Sequence, residues 1–364
     1  MIKNRILNWI NPLIRLPAVG IDISDQSMKY IQFRGKDELE ISFFGEIEIP
    51  AEIIIDGEIK KKEDLAKTLS AWFQKEKKRL DSPFVVVGLP EEKSFLRLIQ
   101  LPQTKREEVA GAIRREIETN IPLPPEKLIY DYEIIEPLKN HLDHFDVVIT
   151  AFPKDIVESY AEVLKIAGLQ PIAMELESQA IIRSIIAKLR EESAKIIVDI
   201  GRNRTSVIIF SGGAIIFTTT LSLGGHTFEE NIAKNLKISM EKAIAIKKEF
   251  GLHKKEFGGQ LFSALVPPVA ALTDEIKRAM EYYRTHPAHI HGGHPIINTI
   301  LLTGGDANLL GISTYLASNL KIPVYLANPF AAIEKRLRHS IPPIEKNQSL
   351  AFSAAIGLAL RDLI

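Results

Sequence analysis

The chain contains one β-hairpin pattern twice, in residues 19–33 (VGIDISDQSMKYIQF) and in residues 196–210 (IIVDIGRNRTSVIIF). Each copy has two short β-branched stretches joined by a polar turn, which predicts a pair of antiparallel strands. An aspartate stands near the end of the first strand in each copy, Asp22 in one and Asp199 in the other. Aligning these aspartates keeps the apolar positions in phase. We therefore expect two related halves, each opening with the same hairpin.

Each hairpin has the composition of a phosphate-binding turn. A turn that brings backbone N–H groups close to a phosphate favours a residue without Cβ, such as Gly201, and a neighbouring carboxylate holds a divalent ion through water. Two such hairpins facing each other across a cleft would clamp the phosphates of one nucleotide. The run ILLTGGD at residues 300–306 predicts a buried strand ending in a glycine pair, which suits a flat ligand. For either hairpin alone, an ordinary strand connection is the alternative.

Composition argues against several other classes of protein. The 364 residues suffice for two or more domains. Lys plus Arg and Asp plus Glu both number 46, so no net positive field attracts nucleic acid. Cysteine is absent, which excludes disulfides and suits a cytoplasmic protein. No apolar run approaches the roughly 20 residues that cross a bilayer, and the N-terminus does not read as a secretory leader.

Strands and helices alternate along most of the chain, which predicts an α/β fold. The N-terminal tail places Ile6, Trp9 and Leu13 on one side of a helix, so it would lie on a membrane surface, dock a partner or pack on the body. The predicted units are the tail at 1–17, a first core at 18–90 completed by 172–194 and a C-terminal helix at 346–364, an α+β insert at 91–171, and a second core at 195–345 with a helical part at about 226–296.

Further motifs follow in a fixed order: VGLP at Val87, NIPLP at Asn120, SLGGHTFEENIA at Ser222, LTGGDANLLGI at Leu302 and GLALR at Gly357. With the two hairpins, this set resembles the actin, Hsp70 and hexokinase superfamily, and within it the PilM family of type IV pilus assembly proteins, which is related to FtsA. The resemblance covers nearly the whole chain from residue 18. It implies an actin-like two-domain fold with duplicated ribonuclease H-like cores and a small inserted α+β subdomain of the FtsA type.

The resemblance also implies a site for ATP and Mg²⁺ between the two domains. Asp22 and Asp199 would order the water around Mg²⁺, and Glu177 would orient the attacking water. Glu175 lies close by, and for both glutamates a plain strand-end role is the alternative. The other residues implied in nucleotide binding are Ser24, Gln26, Ser27 and Lys29 on the first hairpin, Gly201, Asn203 and Thr205 on the second, and Gly224, Gly225, Lys247, Gly304 and Gly305 around the ribose and base.

Two positions depart from the family pattern. Ser24 stands where the first hairpin usually has glycine, and its Cβ makes a positive φ costly. Ile244 stands where actin-like proteins usually carry a glutamate that holds the ribose. Together these departures predict ATP binding with weak or no ATPase activity.

By resemblance, the protein is a scaffold at the cytoplasmic face of the inner membrane. PilM-like proteins grip the N-terminal tail of the membrane protein PilN in a groove beside the small subdomain, which links them to the pilus platform and indirectly to its motor ATPases. Membrane association would be peripheral, through this partner, and self-association is possible. The alternatives are a small-molecule kinase of the same superfamily and an FtsA-like filament-forming cell-division protein.

Three local patterns add expectations that the structure can test. Pro267 and Pro268 predict the start of a helix that runs to Tyr283. Thr104 and Glu107 predict a capping box at the start of the helix in the insert. Residues 286–294 (HPAHIHGGH) hold four of the nine histidines, which predicts either a zinc or nickel site or a solvated loop.

Overall fold

A computed structural model describes residues 18–35, 37–102, 106–135, 144–188, 193–286, 296–339 and 341–363. The strands are β1 (Val19–Ile23), β2 (Ser27–Arg34), β3 (Glu40–Glu48), β4 (Ile54–Ile55), β5 (Glu58–Ile59), β6 (Phe84–Leu89), β7 (Phe95–Pro102), β8 (Leu128–Ile135), β9 (His144–Pro153), β10 (Gln170–Leu176), β11 (Ala194–Ile200), β12 (Thr205–Ser211), β13 (Ala214–Leu221), β14 (Ile297–Thr303) and β15 (Val324–Leu326). The helices are α1 (Lys62–Glu76), α2 (Arg106–Asn120), α3 (Lys154–Ile166), α4 (Glu177–Ile185), α5 (Gly225–Leu236), α6 (Met240–Phe250), α7 (Gln260–Thr285), α8 (Ile312–Leu320), α9 (Lys346–Ser349) and α10 (Ser353–Ala359).

The two large sheets share one topology. The first has the strand order β10-β6-β1-β2-β3 and the second the order β13-β12-β11-β14-β15. In each sheet three consecutive strands, β1 to β3 or β11 to β13, are antiparallel. Two parallel strands, β6 and β10 or β14 and β15, extend the sheet beyond the first strand of that set. The hairpin registers also agree, because Asp22 pairs with Lys29 in one and Asp199 pairs with Ser206 in the other. The predicted actin-like fold with two related cores is confirmed.

Alternation along β1 explains how the first sheet is covered on both faces. Val19 and Ile21 join a core that includes apolar residues of α1 and α3. Gly20 lies between them and points to α10, where an added Cβ would lie well inside van der Waals contact with the backbone of Ala355. Every residue of α10 is buried, as its apolar composition predicts. The single helix expected near the C-terminus is instead broken into α9, a 3₁₀ turn and α10.

The predicted insert contains a small sheet that packs on α2. Its sheet has the order β7-β9-β8 and forms a separate core with α2 through Val109, Ile113 and Ile117. Helix α3 lies within the predicted range 91–171, and its apolar side chains share a core with those of α1, β7 and β9. Strand β10 pairs with β6 of the first sheet. The capping box expected at Thr104 and Glu107 lies outside the described side chains.

Two other boundaries differ from the prediction. Helix α7 begins at Gln260, so Pro267 and Pro268 lie inside it rather than at its start. Leu261 and Leu265 are buried and extend its apolar face before the prolines, whose fixed φ is compatible with a helix. Residues 330–344 were assigned to the second domain, but their apolar side chains pack on β2 and α10 of the first.

Candidate functional site

The two hairpin turns have the same backbone geometry. The N–H of Ser24 donates to the carbonyl of Ser27 at 2.9 Å, and the N–H of Gly201 donates to the carbonyl of Arg204 at 2.8 Å. Ser24 does not have a positive φ. Its hydroxyl donates to the Ser27 carbonyl at 3.0 Å, so the side chain supports the turn. The backbone strain expected from a serine at this position is therefore absent.

Both turns face a cavity of about 1180 Å³ between the two domains. This is large enough for a nucleotide, since pockets for small molecules are usually about 300–1,000 Å³. The predicted residues that line it are Asp22, Ser24, Gln26, Ser27, Lys29, Glu177, Asp199, Gly201, Asn203, Lys247, Gly304 and Gly305.

Three acidic side chains from different elements meet in this cavity. Asp22 and Asp199 stand near the carboxyl ends of β1 and β11, and Glu177 is the first residue of α4. Burial raises the pKa of Asp22, and it raises the pKa of Asp199 to about 7, with repulsion from Asp22 adding to that shift. Burial, followed by repulsion from Asp22, raises the pKa of Glu177 well above its usual range. A cation placed among these carboxyls would relieve the repulsion and favour their ionised forms.

Gly88 and Lys29 complete this part of the wall. A Cβ at Gly88 would lie 3.4 Å from Cγ of Glu177 and 3.8 Å from Oδ1 of Asp22, so glycine leaves space between the two acids. Lys29 points into the cleft from β2, and its Nζ lies 3.2 Å from a carboxylate oxygen of Glu46. The site therefore holds one amino group close to the acids of the first domain.

The structure separates the roles of the two candidate glutamates. Glu175 is buried, accepts hydrogen bonds from Arg183 at 2.5 and 2.8 Å, and also contacts Arg361. Arg183 in turn donates to the carbonyl of Gly357 at 2.8 Å. Glu175 therefore ties β10 to α4 and α10, whereas Glu177 lies at the cavity wall.

Three predicted residues lie behind the second turn and outside the cavity wall. The Thr205 hydroxyl donates to the carbonyl of Leu223 at 2.7 Å. The N–H of Gly225 donates to the carbonyl of Gly201 at 3.0 Å, and a Cβ at Gly224 would lie 2.5 Å from that same oxygen. The start of α5 thus supports the turn, and the N–H of Gly225 is directed at the turn itself.

The predicted Lys247 is held in a buried ion network. Its Nζ lies 2.7 Å from Glu229 and 2.6 Å from Asp306, and its side chain is 7% exposed. Asp306 follows the glycine pair, where Gly304 has a φ of 88° and a Cβ would lie 2.5 Å from Oδ1 of Asp199. Ile244 lines the cavity close to this network. The expected ribose-binding side of the cleft therefore already has its main charges paired.

The sequence analysis missed two arginines of the second turn. The Arg204 guanidinium lies 3.0 Å from Asp25, 2.7 Å from Asp56 and 2.8 Å from Glu92. Nε of Arg202 donates to Oε1 of a glutamine in the first turn, Gln26, at 2.8 Å. These contacts cross the cleft. The available signal was a pair of arginines in one turn and an aspartate in the turn that faces it.

No group of three or more His, Asp or Glu side chains within the described ranges is arranged to hold a metal ion directly. A water-mediated Mg²⁺ site at Asp22 and Asp199 stays a prediction. The ring of His286 stacks on Tyr282 at 4.2 Å between centroids, and the other histidines of that cluster lie outside the described residues. Across the parts of the chain that the structure covers, none of the helices has the length and hydropathy of a membrane span.

Paired cores of one topology, with two matched turns at a shared cleft, define an actin-like protein. The family model for type IV pilus assembly protein PilM matches residues 20–363. The chain belongs to this family. Its structure is similar to that of a PilM-PilN type IV pilus biogenesis complex, with a TM-score of 0.79 and 25% identity over 96% of this chain and 100% of that one.

More distant relatives share the fold. The ethanolamine utilization protein EutJ from Carboxydothermus hydrogenoformans has a TM-score of 0.56 at 17% identity, over 98% of this chain and 96% of EutJ. The cell division protein FtsA from Bacillus subtilis is 23% identical over 262 residues, which are 64% of this chain. That alignment spans 58% of FtsA, so little more than half of the relative is represented.

Proposed function

We propose that this protein is an ATP-binding scaffold of type IV pilus assembly. The observation that carries the proposal is one cavity of about 1180 Å³ that both matched turns face and that Asp22, Asp199 and Glu177 line. Carboxylates suit Mg²⁺, which usually keeps several waters and binds together with nucleotide phosphates. Asp22 and Asp199 would hold the hydrated ion. Lys29 and the polar groups of both turns would contact phosphate oxygens.

The same cleft favours binding over rapid hydrolysis. Glu177 would accept the proton from the attacking water, but burial raises its pKa and so disfavours the ionised form that this step needs. On the opposite wall, Lys247 is paired with two acids and Ile244 offers no polar atom to a ribose. We therefore propose ATP binding with weak or no turnover.

Calorimetric titration of Mg·ATP tests this proposal. We expect binding to the native protein and at least a tenfold loss of affinity in Asp199→Ala, the scale of one lost charge-assisted contact. Asp274→Ala is the matched control, because Asp274 is an exposed aspartate of α7 that pairs with Lys277. The absence of binding to the native protein, or an equal loss in both variants, would overturn the proposal.

We also propose that the protein binds the N-terminal tail of a PilN-like membrane protein. This contact would place it peripherally at the cytoplasmic face of the inner membrane and link it to the pilus platform and its motor ATPases. The insert exposes Ile129 and Tyr132 on β8, which is an edge strand of its sheet. Extended peptides bind to such edges through main-chain hydrogen bonds and pockets for alternate side chains.

Titration with a synthetic PilN-type tail peptide tests the partner proposal. We expect Tyr132→Ala to weaken binding about tenfold, a typical loss for an aromatic anchor. Tyr325→Ala is the control, since Tyr325 is an exposed aromatic residue on an edge strand of the second domain. If the native protein does not bind the peptide, the partner proposal fails. If both variants bind normally, the edge of β8 is not the docking surface.

A further inference from the structure

Arg204 connects the second domain to three separate elements of the first. Asp25 belongs to the first hairpin turn, Asp56 to the turn between β4 and β5, and Glu92 to the 3₁₀ turn that precedes β7 of the insert. We call these three acids and Arg204 the interdomain clasp. The side chains of Arg204, Asp25 and Glu92 are 19%, 12% and 19% exposed, so solvent screens these two ion pairs less than it screens pairs on the open surface. The third acid, Asp56, is 75% exposed.

The acidic side of the clasp is held in place by the first domain. The N–H of Gly57 donates to Oδ1 of Asp25 at 3.0 Å, and the hydroxyl of Tyr160 on α3 donates to the Gly57 carbonyl at 3.0 Å. Asp56 and Gly57 have φ values of 52° and 71°, which fix a tight turn between β4 and β5. Asp25 and the turn that carries Asp56 are thus positioned by contacts within the first domain.

The clasp also lies in the cavity where phosphates are proposed to bind. Arg204, Asp25 and Glu92 all contribute to its wall. Three carboxylates around one guanidinium leave an excess of negative charge, so a phosphate group can approach Arg204 only by displacing a carboxylate. Guanidinium binds phosphate with the same two-pronged geometry that it uses for carboxylate. Phosphates and clasp acids are therefore competitors for one side chain.

Glu92 is the clasp acid that connects to the insert. Its neighbour Glu91 is buried and accepts hydrogen bonds from the N–H and hydroxyl of Ser178, at 3.2 and 3.0 Å. This contact fixes one side of the turn, while Glu92 reaches across to Arg204. Strand β7 begins just beyond, at Phe95. A change in the partner of Glu92 therefore occurs at the point where the chain enters the insert.

We propose that Arg204 is a phosphate-responsive clasp, in which the phosphates of a bound nucleotide replace Glu92 and thereby loosen the insert from the second domain. The inference rests on the proposed nucleotide binding for its trigger. The clasp itself consists of contacts among the protein's own side chains. Two measurements test the clasp and its nucleotide trigger separately.

The first measurement is the distance between the insert and the second domain. The chain has no cysteine, so Arg115→Cys on α2 and Lys234→Cys on α5 introduce one spin-label pair at two exposed positions. We expect pulsed electron paramagnetic resonance to give a narrow distance distribution without ligand and a broader one with Mg·ATP. Adding Arg204→Gln should produce the broad distribution without nucleotide. Arg284→Gln, which removes an arginine paired with Glu281 within α7, is the control and should keep the narrow one.

The second measurement is Mg·ATP affinity, for which the clasp predicts changes of opposite sign. Arg204→Gln should lower the affinity about tenfold because a phosphate partner is lost, and Glu92→Gln should raise it several-fold because a competitor is removed. A purely structural role would lower affinity in both variants, which would overturn the proposal. An unchanged distance distribution in Arg204→Gln would overturn it as well. If the native protein binds no Mg·ATP, the proposed function and the trigger fail together, whereas the ligand-free distances still decide whether the clasp exists.

Discussion

The two hairpins have the same backbone but carry opposite charges in their turns. Both turns close with a hydrogen bond between their first and last residues, at 2.9 Å in the first and 2.8 Å in the second. The first turn contains one charged residue, Asp25, whereas the second contains Arg202 and Arg204. The two hairpins therefore share one backbone geometry but differ in the side chains that face each other.

This difference shows that equivalent positions in the two halves do not have equivalent roles. Asp25 and Arg202 occupy matching positions when the hairpin registers are aligned. Asp25 nevertheless contacts Arg204, and Arg202 contacts Gln26, so each turn binds the other. The duplication supplies the shape of the cleft. The divergence of its turns supplies the contacts that bridge the cleft.

The two lysines of the cleft, one on each wall, differ in their burial and in their acidic partners. Lys29 and its partner Glu46 have side chains that are 16% and 47% exposed. Lys247 is 7% exposed and lies between Glu229 and Asp306. We expect Lys247→Met to lower the free energy of unfolding by about 3–5 kcal/mol, because it leaves buried acids without a partner. Lys29→Met should cost below about 1 kcal/mol.

Urea unfolding of the two methionine variants, followed by circular dichroism, checks this difference. The native protein under the same conditions is the reference, and equal slopes of the transitions would show that stability alone has changed. Equal losses in the two variants would contradict the distinction between a buried network and a partly exposed pair.

A second contrast lies two residues before the aspartate of each hairpin. Gly20 lies directly under α10, and the matching Ile197 is fully buried by side chains of the second domain. Gly20→Ala should destabilise the protein by about 3 kcal/mol, because its Cβ meets the rigid backbone at Ala355. Ile197→Val should cost about 1 kcal/mol. Thermal melts would check both values, and a native-like melting temperature for Gly20→Ala would contradict the close packing of α10 on β1.

A third contrast is the titration of the two aspartates in metal-free buffer. Burial raises the pKa of Asp199 to about 7, so the folded protein takes up a proton that the unfolded chain does not hold between about pH 4 and 7. Stability should therefore fall as pH rises through this range. Asp199→Asn removes that loss and should raise the free energy of unfolding by roughly 1–3 kcal/mol at pH 8, with a smaller gain at pH 5.

Asp22 is the comparison for this experiment. Its pKa is also raised by burial, but the next largest influence on it is Lys29, which lowers it. At Asp199 repulsion from Asp22 outranks the effect of Lys29, so Asp22→Asn should gain less stability than Asp199→Asn. Melting temperatures measured with a metal chelator at pH 5, 6.5 and 8 would check the order. A loss of stability in Asp199→Asn at pH 8 would contradict the proposed repulsion among the cleft carboxyls.

The parts of the fold that the sequence predicted well are those that repeat a local pattern. The two hairpins have the same period and an aspartate at the same position, so their strands and their common register followed from the residues. The packing of α3 with α1 and of residues 330–344 with β2 and α10 was not predicted, because amphipathic segments do not encode which neighbouring core they cover. That choice depends on tertiary packing, which local patterns do not contain.

The side chains of the cleft show the same limit, because local patterns do not contain tertiary contacts. Asp22, Lys29, Glu177 and Asp199 were placed at the site because the residues and the family resemblance pointed to them, and all four line the cavity. The partners of Arg204 come from three distant segments of the chain. Only the fold brings Asp56 and Glu92 to Arg204, so the signal in the sequence extended no further than the pairing of the two turns.

The smallest difference is expected when the residues that begin the two turns, Ser24 and Gly201, are exchanged. A Cβ at Gly201 would lie 3.1 Å from the Arg204 carbonyl, which is tighter than ordinary contact, so Gly201→Ser should cost about 1 kcal/mol. Ser24→Gly loses the hydroxyl contact with Ser27 and gains freedom in the unfolded chain, for a cost of about 0.5 kcal/mol. Chemical unfolding of both variants beside the native protein would resolve the two values. If Gly201→Ser is neutral, the turns are interchangeable in shape, and the charges of the clasp alone distinguish the two halves of the cleft.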